Sequence, residues 1–155
     1  MAQCSDPIDC TAGDPLYEAR ATLEQVVLPQ PATIIIGTSG GPDSLCLALV
    51  LAKLAPEFNL PLVAAHYDHG IRDNDSRATE RNTVIQQAKA LNLKLCVGSA
   101  VAGELHSQQR ITGSSLEDLA REKRYAFLFG VAANNEAYAV AVGHHLDDDL
   151  ETILM

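Results

Sequence analysis

The sequence predicts an α/β fold, a doubly wound parallel sheet, on three observations. Residues 34–36 are an isoleucine run, followed at once by a glycine-rich turn and a second apolar run over residues 45–51. Short apolar or β-branched runs alternate with longer segments of helical period along most of the chain. The histidine- and acid-rich stretches directly follow the strand-like runs. Such alternation implies parallel βαβ units with right-handed crossovers. Loops that follow the strands then gather at the carboxyl edge of the sheet, where these folds hold their ligands.

Each element has its own signal. Asp14-Pro15 is a helix start, an N-cap acid followed by proline at the first helical position. Leu16, Ala19, Leu23 and Val26 recur at helical spacing, and Pro29 and Pro31 end the segment. The isoleucines of residues 34–36 suit a buried, pleated strand. A buried helix starts near Asp43 or Ser44 and is closed by Pro56, which cannot donate to the helical ladder. Residues 60–66 read as a second strand and residues 67–75 as a polar loop. Ser76 then caps a helix with Val84, Ile85, Ala88 and Leu91 on one face. Residues 93–97 give a third strand and residues 98–113 an extended loop. Ser114-Ser115-Leu116-Glu117 matches a capping box, opening a helix that buries Leu116, Ala120, Phe127 and Val131. Residues 137–142 are the fourth strand, and residues 143–147 turn into a last helix that is still amphipathic at Met155. No C-cap or polar tail closes that helix, as expected of a truncated chain. Residues 1–14 are expected to be a poorly ordered tail and residues 15–155 one domain.

The 155 residues suit a single domain, and 47% hydrophobic with 20% charged is an ordinary globular composition. No run reaches the roughly 18 apolar residues of a membrane span. Residues 1–14 lack the basic and apolar regions of a signal peptide, so the cytoplasm is the expected compartment. Cys4, Cys10, Cys46 and Cys96 make no C-x-x-C pair. Cys46 and Cys96 lie in apolar segments, where a free cysteine acts as a small hydrophobe. A net charge of −9 argues against a large nucleic-acid footprint on this segment, since such surfaces are basic. A nucleic-acid substrate would have to be gripped elsewhere.

The stretch Gly37-Thr38-Ser39-Gly40-Gly41-Pro42-Asp43-Ser44 carries the clearest chemistry. Glycines let backbone amides approach a ligand. The helix start adds unpaired N–H groups and about half a unit of positive charge, which suits a phosphate chain. Neither standard nucleotide signature fits: a Walker A loop needs Gly-Lys where this chain has Pro42-Asp43, and no G-x-G-x-x-G can be read from Gly37. Asp43 would repel bare phosphate, so it makes sense as a Mg²⁺ ligand bridging to it. The plainer alternative is a tight turn in which Ser39 or Asp43 caps a helix.

Four of the five histidines lie in two further loops. One is His66-Tyr67-Asp68-His69-Gly70-Ile71-Arg72; the other is His144-His145-Leu146-Asp147-Asp148-Asp149-Leu150-Glu151-Thr152. Two chemistries fit these residue types. One is hydrolysis at a dinuclear metal centre. The other uses the acids to hold Mg²⁺ on a nucleotide and orient an amine, while histidines donate hydrogen bonds or move protons. The second is preferred, because adjacent His144 and His145 do not readily face one metal and the first leaves the glycine loop without a task. Arg110, Arg121 and Arg124 are candidates to reach phosphates or a nucleobase, against a plain Glu117–Arg121 pair on a solvated helix face.

These residues resemble the N-type ATP pyrophosphatase (PP-loop) superfamily, whose fingerprint Ser-Gly-Gly-x-Asp-Ser is matched by residues 39–44. Within it the chain is most similar to the tRNA(Ile)-lysidine synthetase family. The similarity rests on Pro42, on His66-x-Asp68-His69-Gly70-x-Arg72, and on Ser115-Leu116-Glu117 through Ala120-Arg121-Glu122 to Arg124-Tyr125. Gly143-His144-His145-x-Asp147-Asp148 with Glu151-Thr152 completes it. The match spans about residues 30–155 and implies a Rossmann-like, adenine nucleotide alpha hydrolase-like fold.

The resemblance implies a two-step ligase. ATP adenylates C2 of the wobble cytidine in tRNA(Ile) with a CAU anticodon, releasing pyrophosphate; free L-lysine then displaces AMP to leave lysidine. ATP and Mg²⁺ are the implied cofactors, and the resemblance admits a homodimer. Implied nucleotide-binding residues are Ser39, Gly40, Gly41, Pro42, Asp43 and Ser44, with His66 and Asp68; Asp43 is the implied Mg²⁺ ligand. Implied catalytic residues are Asp43, Arg121, His144 and Asp148, the last three around the lysine and cytidine. Family members usually carry Gln at the place of Asp149, and they continue into a helical tail and tRNA-gripping domains. Two rivals stand beside this reading: another PP-loop enzyme, such as a tRNA thiolase or an amidotransferase-linked ligase, and a non-catalytic nucleotide-binding remnant.

Overall fold

The computed structural model describes residues 13–71, 73–101, 103–143 and 153–154. Five strands form one sheet in the order β3-β2-β1-β4-β5: β1 (Ile34–Gly37), β2 (Leu62–Asp68), β3 (Lys94–Ser99), β4 (Ala139–Val142) and β5 (Ile153–Leu154). The first four are parallel, with Ile36 opposite Ala64 on one side and Ala141 on the other. The helices are α1 (Pro15–Gln25), α2 (Pro42–Phe58), α3 (Asn74–Ala90), α4 (Glu104–Thr112) and α5 (Leu116–Asn134). The doubly wound parallel sheet is therefore as predicted.

β1 is central because both its faces are buried. Ile35 packs with Val63, Leu128, Val131 and Val140 on the α5 side; Ile34 and Ile36 pack with Ala48, Leu51 and Leu60 on the α2 side. This explains an unbroken isoleucine run where a one-sided strand would alternate. Gly37 ends the strand where a Cβ would lie 2.8 Å from Val142 Cγ1 and 3.3 Å from Leu128 Cδ1.

Several boundaries differ from the sequence expectation, each for a physical reason. α2 starts at Pro42, one residue before Asp43, and runs past Pro56 to Phe58. Pro56 sits in the last turn, where the missing N–H costs one bond and two further residues still fit before Asn59 closes the helix in the left-handed region (φ 51°). β2 extends through Tyr67 and Asp68, because both pair with Gly98 and Ser99 of β3. The cap of α3 is Asp73, and Ser76 is what it caps: the carboxylate accepts from the Ser76 N–H at 2.9 Å and from its hydroxyl at 2.7 Å. Ile85, expected on the buried face of α3, is exposed. Ser115, rather than Ser114, caps α5, accepting from the Asp118 N–H at 3.0 Å. Cys46, expected in an apolar setting, is exposed on α2.

Two elements differ in kind from the sequence expectation. The expected loop of residues 98–113 contains α4, bracketed by Gly103 and Gly113, both left-handed, and docked on Leu119 and Ala120 of α5 through Leu105. Residues 153–154, expected in a last helix, form β5, antiparallel to β4 with Ala139 opposite Leu154. That pairing covers the outer edge of β4, and a sheet edge's demand for partners overrides weak helical periodicity. The rest of that expected helix, the Cys4 and Cys10 positions and residues 1–12 of the expected 1–14 tail lie outside the described residues. No helix among the described residues is long and apolar enough to cross a membrane.

The crowding at Gly37 makes a test. Gly37→Ala should destabilise the fold by about 1–3 kcal/mol through overpacking, read as a lower urea midpoint with an unchanged m-value. An unchanged midpoint would mean that Val142 and Leu128 yield freely.

Candidate functional site

Two of the polar stretches meet at the carboxyl edge, residues 38–41 after β1 and residues 69–71 after β2; of the third, Gly143 after β4 is the described residue and lies at the same edge. They wall a small open cleft lined among others by Thr38, Ser39, Tyr67, Glu80, Arg124 and Gly143.

The first loop is built from inside by its own serines. The Ser44 hydroxyl donates to the Gly41 carbonyl (3.0 Å) and accepts from the Ser39 N–H (3.2 Å). With its proton so committed, Ser44 Oγ accepts from Ser39 Oγ at 3.2 Å, and Ser39 Oγ in turn accepts the Gly41 N–H at 3.3 Å. Ser44 is only 3% exposed, so its hydroxyl serves the loop's shape. Gly40 is left-handed (φ +83°). Gly41 is the N-cap of α2 and offers no side chain to it, and Pro42 follows at the first helical position. The helix thus begins without a side-chain cap, with its positive end toward the cleft. Asp43 lies in that first turn, half-buried. Gly143 lets β4 end against the start of α2: a Cβ there would lie 3.0 Å from the Asp43 carbonyl oxygen.

The second loop braces the first. His66 is 2% exposed, and its Nδ1 lies 2.9 Å from the Thr38 carbonyl oxygen. That oxygen only accepts, so Nδ1 carries the proton. The Thr38 N–H continues the ladder by donating to Ala65 O at 2.8 Å. Asp68 accepts from the Gly70 N–H at 2.9 Å and from Arg77, whose Nη2 lies 2.9 Å from Oδ2. Burial pushes the Asp68 carboxyl up, but the Arg77 and Gly70 hydrogen bonds and the Arg77 charge outweigh it and hold it below its ordinary value. Tyr67 faces the other way, with its ring 5.3 Å from His69 and 5.4 Å from Phe127. Burial, reinforced by the Glu104 charge, pushes its phenol up.

Of the predicted residues, the structure brings Ser39, Gly40, Gly41, Pro42, Asp43, Ser44, His66 and Asp68 to this edge. Arg124 lines the cleft, while Arg121 lies exposed with its guanidinium 5.5 Å from the Tyr125 ring centre. Arg110 lies exposed on α4, donating to the His106 carbonyl. His144, Asp148 and the rest of that motif, and Arg72, lie outside the described residues. Among the described residues no group of three or more His, Cys, Asp or Glu side chains could hold a metal. Sequence reasoning missed Arg77, Glu80 and Gln87 of α3; Arg77 reaches back nine positions to Asp68 and Gln87 forty-seven to Gly40, and no local pattern announces them.

A glycine-built loop between the central strand and a helix without a side-chain cap, at the carboxyl edge of a doubly wound sheet, places the protein among nucleotide-handling α/β proteins. Residues 16–155 match the PP-loop domain model, and the chain belongs to that family. Curated relatives include the tRNA(Ile)-lysidine synthases of Dehalococcoides mccartyi, 40% identical over 79% of this chain and 25% of that protein, and of Symbiobacterium thermophilum, 43% identical over 79% and 24%. The chain spans about a quarter of the length of these relatives. A U34-tRNA thiolase from Methanococcus maripaludis superposes with a TM-score of 0.71 at 22% identity, over 86% of this chain and 45% of that one. An NMN synthetase from Francisella tularensis gives 0.58 at 19%, over 85% and 54%. At those identities the two structures show the shared fold alone.

The Asp68–Arg77 pair has a pH signature. A carboxyl depressed below its ordinary value of 3.8 contributes stability that is present above that value and is lost as pH falls through the native value. Asp68→Asn should therefore cost stability at neutral pH. Its deficit against the wild type should shrink as pH drops below 3.8, measured by urea unfolding across the acid range. A deficit independent of pH would remove the charge from the explanation.

Proposed function

We propose that this chain is the ATP-binding part of a tRNA-modifying ligase that makes lysidine. ATP activates C2 of the wobble cytidine of tRNA(Ile), CAU anticodon, as an adenylate with loss of pyrophosphate; the amine of free lysine then attacks C2 and AMP leaves. The observation that carries the ATP-binding reading is the loop of residues 38–44. Its own serines fix its shape, and it closes on a helix start without a side-chain cap. The tRNA and lysine rest on the relatives' name and on the motif similarity.

In this reading the amides at the start of α2 hold phosphate oxygens, and Gly40 and Gly41 let the backbone come close enough to do so. The single carboxylate of Asp43 fits Mg²⁺, which is commonly held by one or two carboxylates together with substrate phosphates. When bound, the ion neutralises phosphate charge beside Asp43. His66 acts through the Thr38 carbonyl, orienting the loop from beneath. Arg124 supplies positive charge on the wall of the cleft. Arg121, His144 and Asp148 are assigned by similarity to the lysine and cytidine end. A homodimer and a cytoplasmic setting accompany this reading as parts of the proposal.

The decisive experiment follows labelled lysine and pyrophosphate with ATP, Mg²⁺ and a tRNA(Ile) transcript, using this chain and the longest reading frame that contains it. Lysine transfer abolished by Asp43→Ala is the expected result. ATP binding with no pyrophosphate released by either form would replace the ligase with a nucleotide-binding remnant. Pyrophosphate release without lysine transfer would point to another PP-loop ligase.

A second measurement isolates the loop. Gly143→Ala pushes on backbone atoms of Asp43 rather than on a flexible side chain, so it should weaken ATP binding by about tenfold through a shift of the α2 start. Calorimetry showing unchanged affinity would separate the helix start from the phosphate site.

A further inference from the structure

One face of α3 carries a row that none of the roles above uses: Arg77, Glu80, Val84 and Gln87, at spacings that share a helix face. At its first end Arg77 engages both oxygens of Asp68, with Nε at 3.0 Å from Oδ1 and 2.9 Å from Oδ2. The pair is only 23% and 17% exposed. Asp68 also holds the Gly70 N–H, and its carbonyl accepts the Ala100 N–H at 2.8 Å, so Arg77 grips the loop after β2 at its root. Ten residues on, about 15 Å along the axis, Gln87 Nε2 donates to the Gly40 carbonyl at 3.2 Å. Between the two grips, Val84 Cγ2 and the Glu80 carbonyl lie 3.4 and 3.6 Å from where a Gly40 Cβ would be. One rigid helix therefore bears on two loops at once.

The Gly40 contact has a specific consequence. The Gly40 carbonyl and the Gly41 N–H belong to one peptide plane and point in opposite directions. Gln87 holds the carbonyl end, and Ser39 Oγ holds the N–H end at 3.3 Å. A Gly-Gly peptide is the least restrained by its own sterics, so these two side chains decide which way it faces. A bidentate Arg–carboxylate pair fixes direction as well as distance, which an ammonium cannot do.

We propose that α3 is a strut that sets the loop after β1 at a fixed spacing from the loop after β2, with Arg77 and Gln87 as positioning residues for the phosphate-binding loop. The ATP part of this proposal rests on the reading given under Proposed function; the coupling of the two loops does not.

Amide hydrogen exchange on the ligand-free chain tests the coupling directly. Arg77→Met and Gln87→Leu should each speed exchange at residues 39–41 by about tenfold, leave α5 protected, and combine less than additively in the double variant. Arg77→Lys keeps the charge and loses the fork, so it should show the same pattern at reduced size, and it serves if Arg77→Met does not fold. In the ATP arm, each variant should lower the ratio of ATP to AMP affinity, which a merely stabilising role would leave unchanged. The proposal is overturned if Arg77 variants change exchange only at residues 68–71, or if the two substitutions add independently. A wild type that binds no ATP would instead sink the ATP reading, with the exchange data still deciding the strut.

Discussion

At the carboxyl ends of β1 and β4 the backbone is approached more closely than a Cβ would permit, by side chains at Gly37 and by backbone at Gly143, and the rest of the edge depends on it. At Gly37 a Cβ would sit 2.8 Å from Val142, and at Gly143 it would sit 3.0 Å from the Asp43 carbonyl. These approaches bring β4 and the start of α2 together across the top of the central strand. Gly40 adds a left-handed turn between them, a conformation that L side chains rarely adopt. The loop of residues 38–41 is thereby confined to one small volume in which its few polar groups find one another.

Within that volume the polar groups are arranged for shape before chemistry. Ser39 and Ser44 spend their hydroxyls on the loop itself, and His66 supports the Thr38 carbonyl from the buried side. What the loop itself offers the cleft is backbone and the positive end of α2, with Asp43 beside it, while Arg124 lines another wall. This is a cradle without lysine. In the proposed reading its attraction for anions is short-ranged and directional, where a Walker lysine contributes a point charge. That distinction suits a chain of net charge −9, whose long-range field does not favour polyanions.

The fold was largely legible, because its signals are local. Three consecutive isoleucines need burial on both faces, and strand–helix alternation leaves few topologies. The glycine loop was legible for the same reason: Gly40 and Gly41 matter through their own backbone. The misreadings lie where a distant partner decides. α4 has one buried side chain, Leu105, too faint a stripe to reveal a helix, although Gly103 and Gly113 at its ends were the available signal. Ser76 reads as a cap by residue type, but Asp73 starts the helix earlier, its carboxylate accepting the Ser76 N–H. β5 depends on the open edge of β4, which periodicity cannot see. In the site, Asp68 was legible as polar and edge-facing, while its pairing with Arg77 depends on how α3 packs across the sheet.

That pairing changes the electrostatics of the edge. Asp43, Asp68 and Glu80 all lie on or near the cleft walls, and three bare carboxylates would oppose any phosphate placed between them. The Arg77 fork cancels the Asp68 charge at contact distance, where screening by salt has least effect. Asp68 keeps its hydrogen-bonding capacity to hold Gly70 in its left-handed turn (φ +68°). The acid is thus retained for geometry while its field is removed. Asp43 stands beside the helix start, where the helix's positive end offsets part of its charge. In the proposed reading an acidic chain presents an anion site in this way: one carboxylate is neutralised by a partner, another is placed where a cation would use it, and the helix start with Arg124 supplies the attraction.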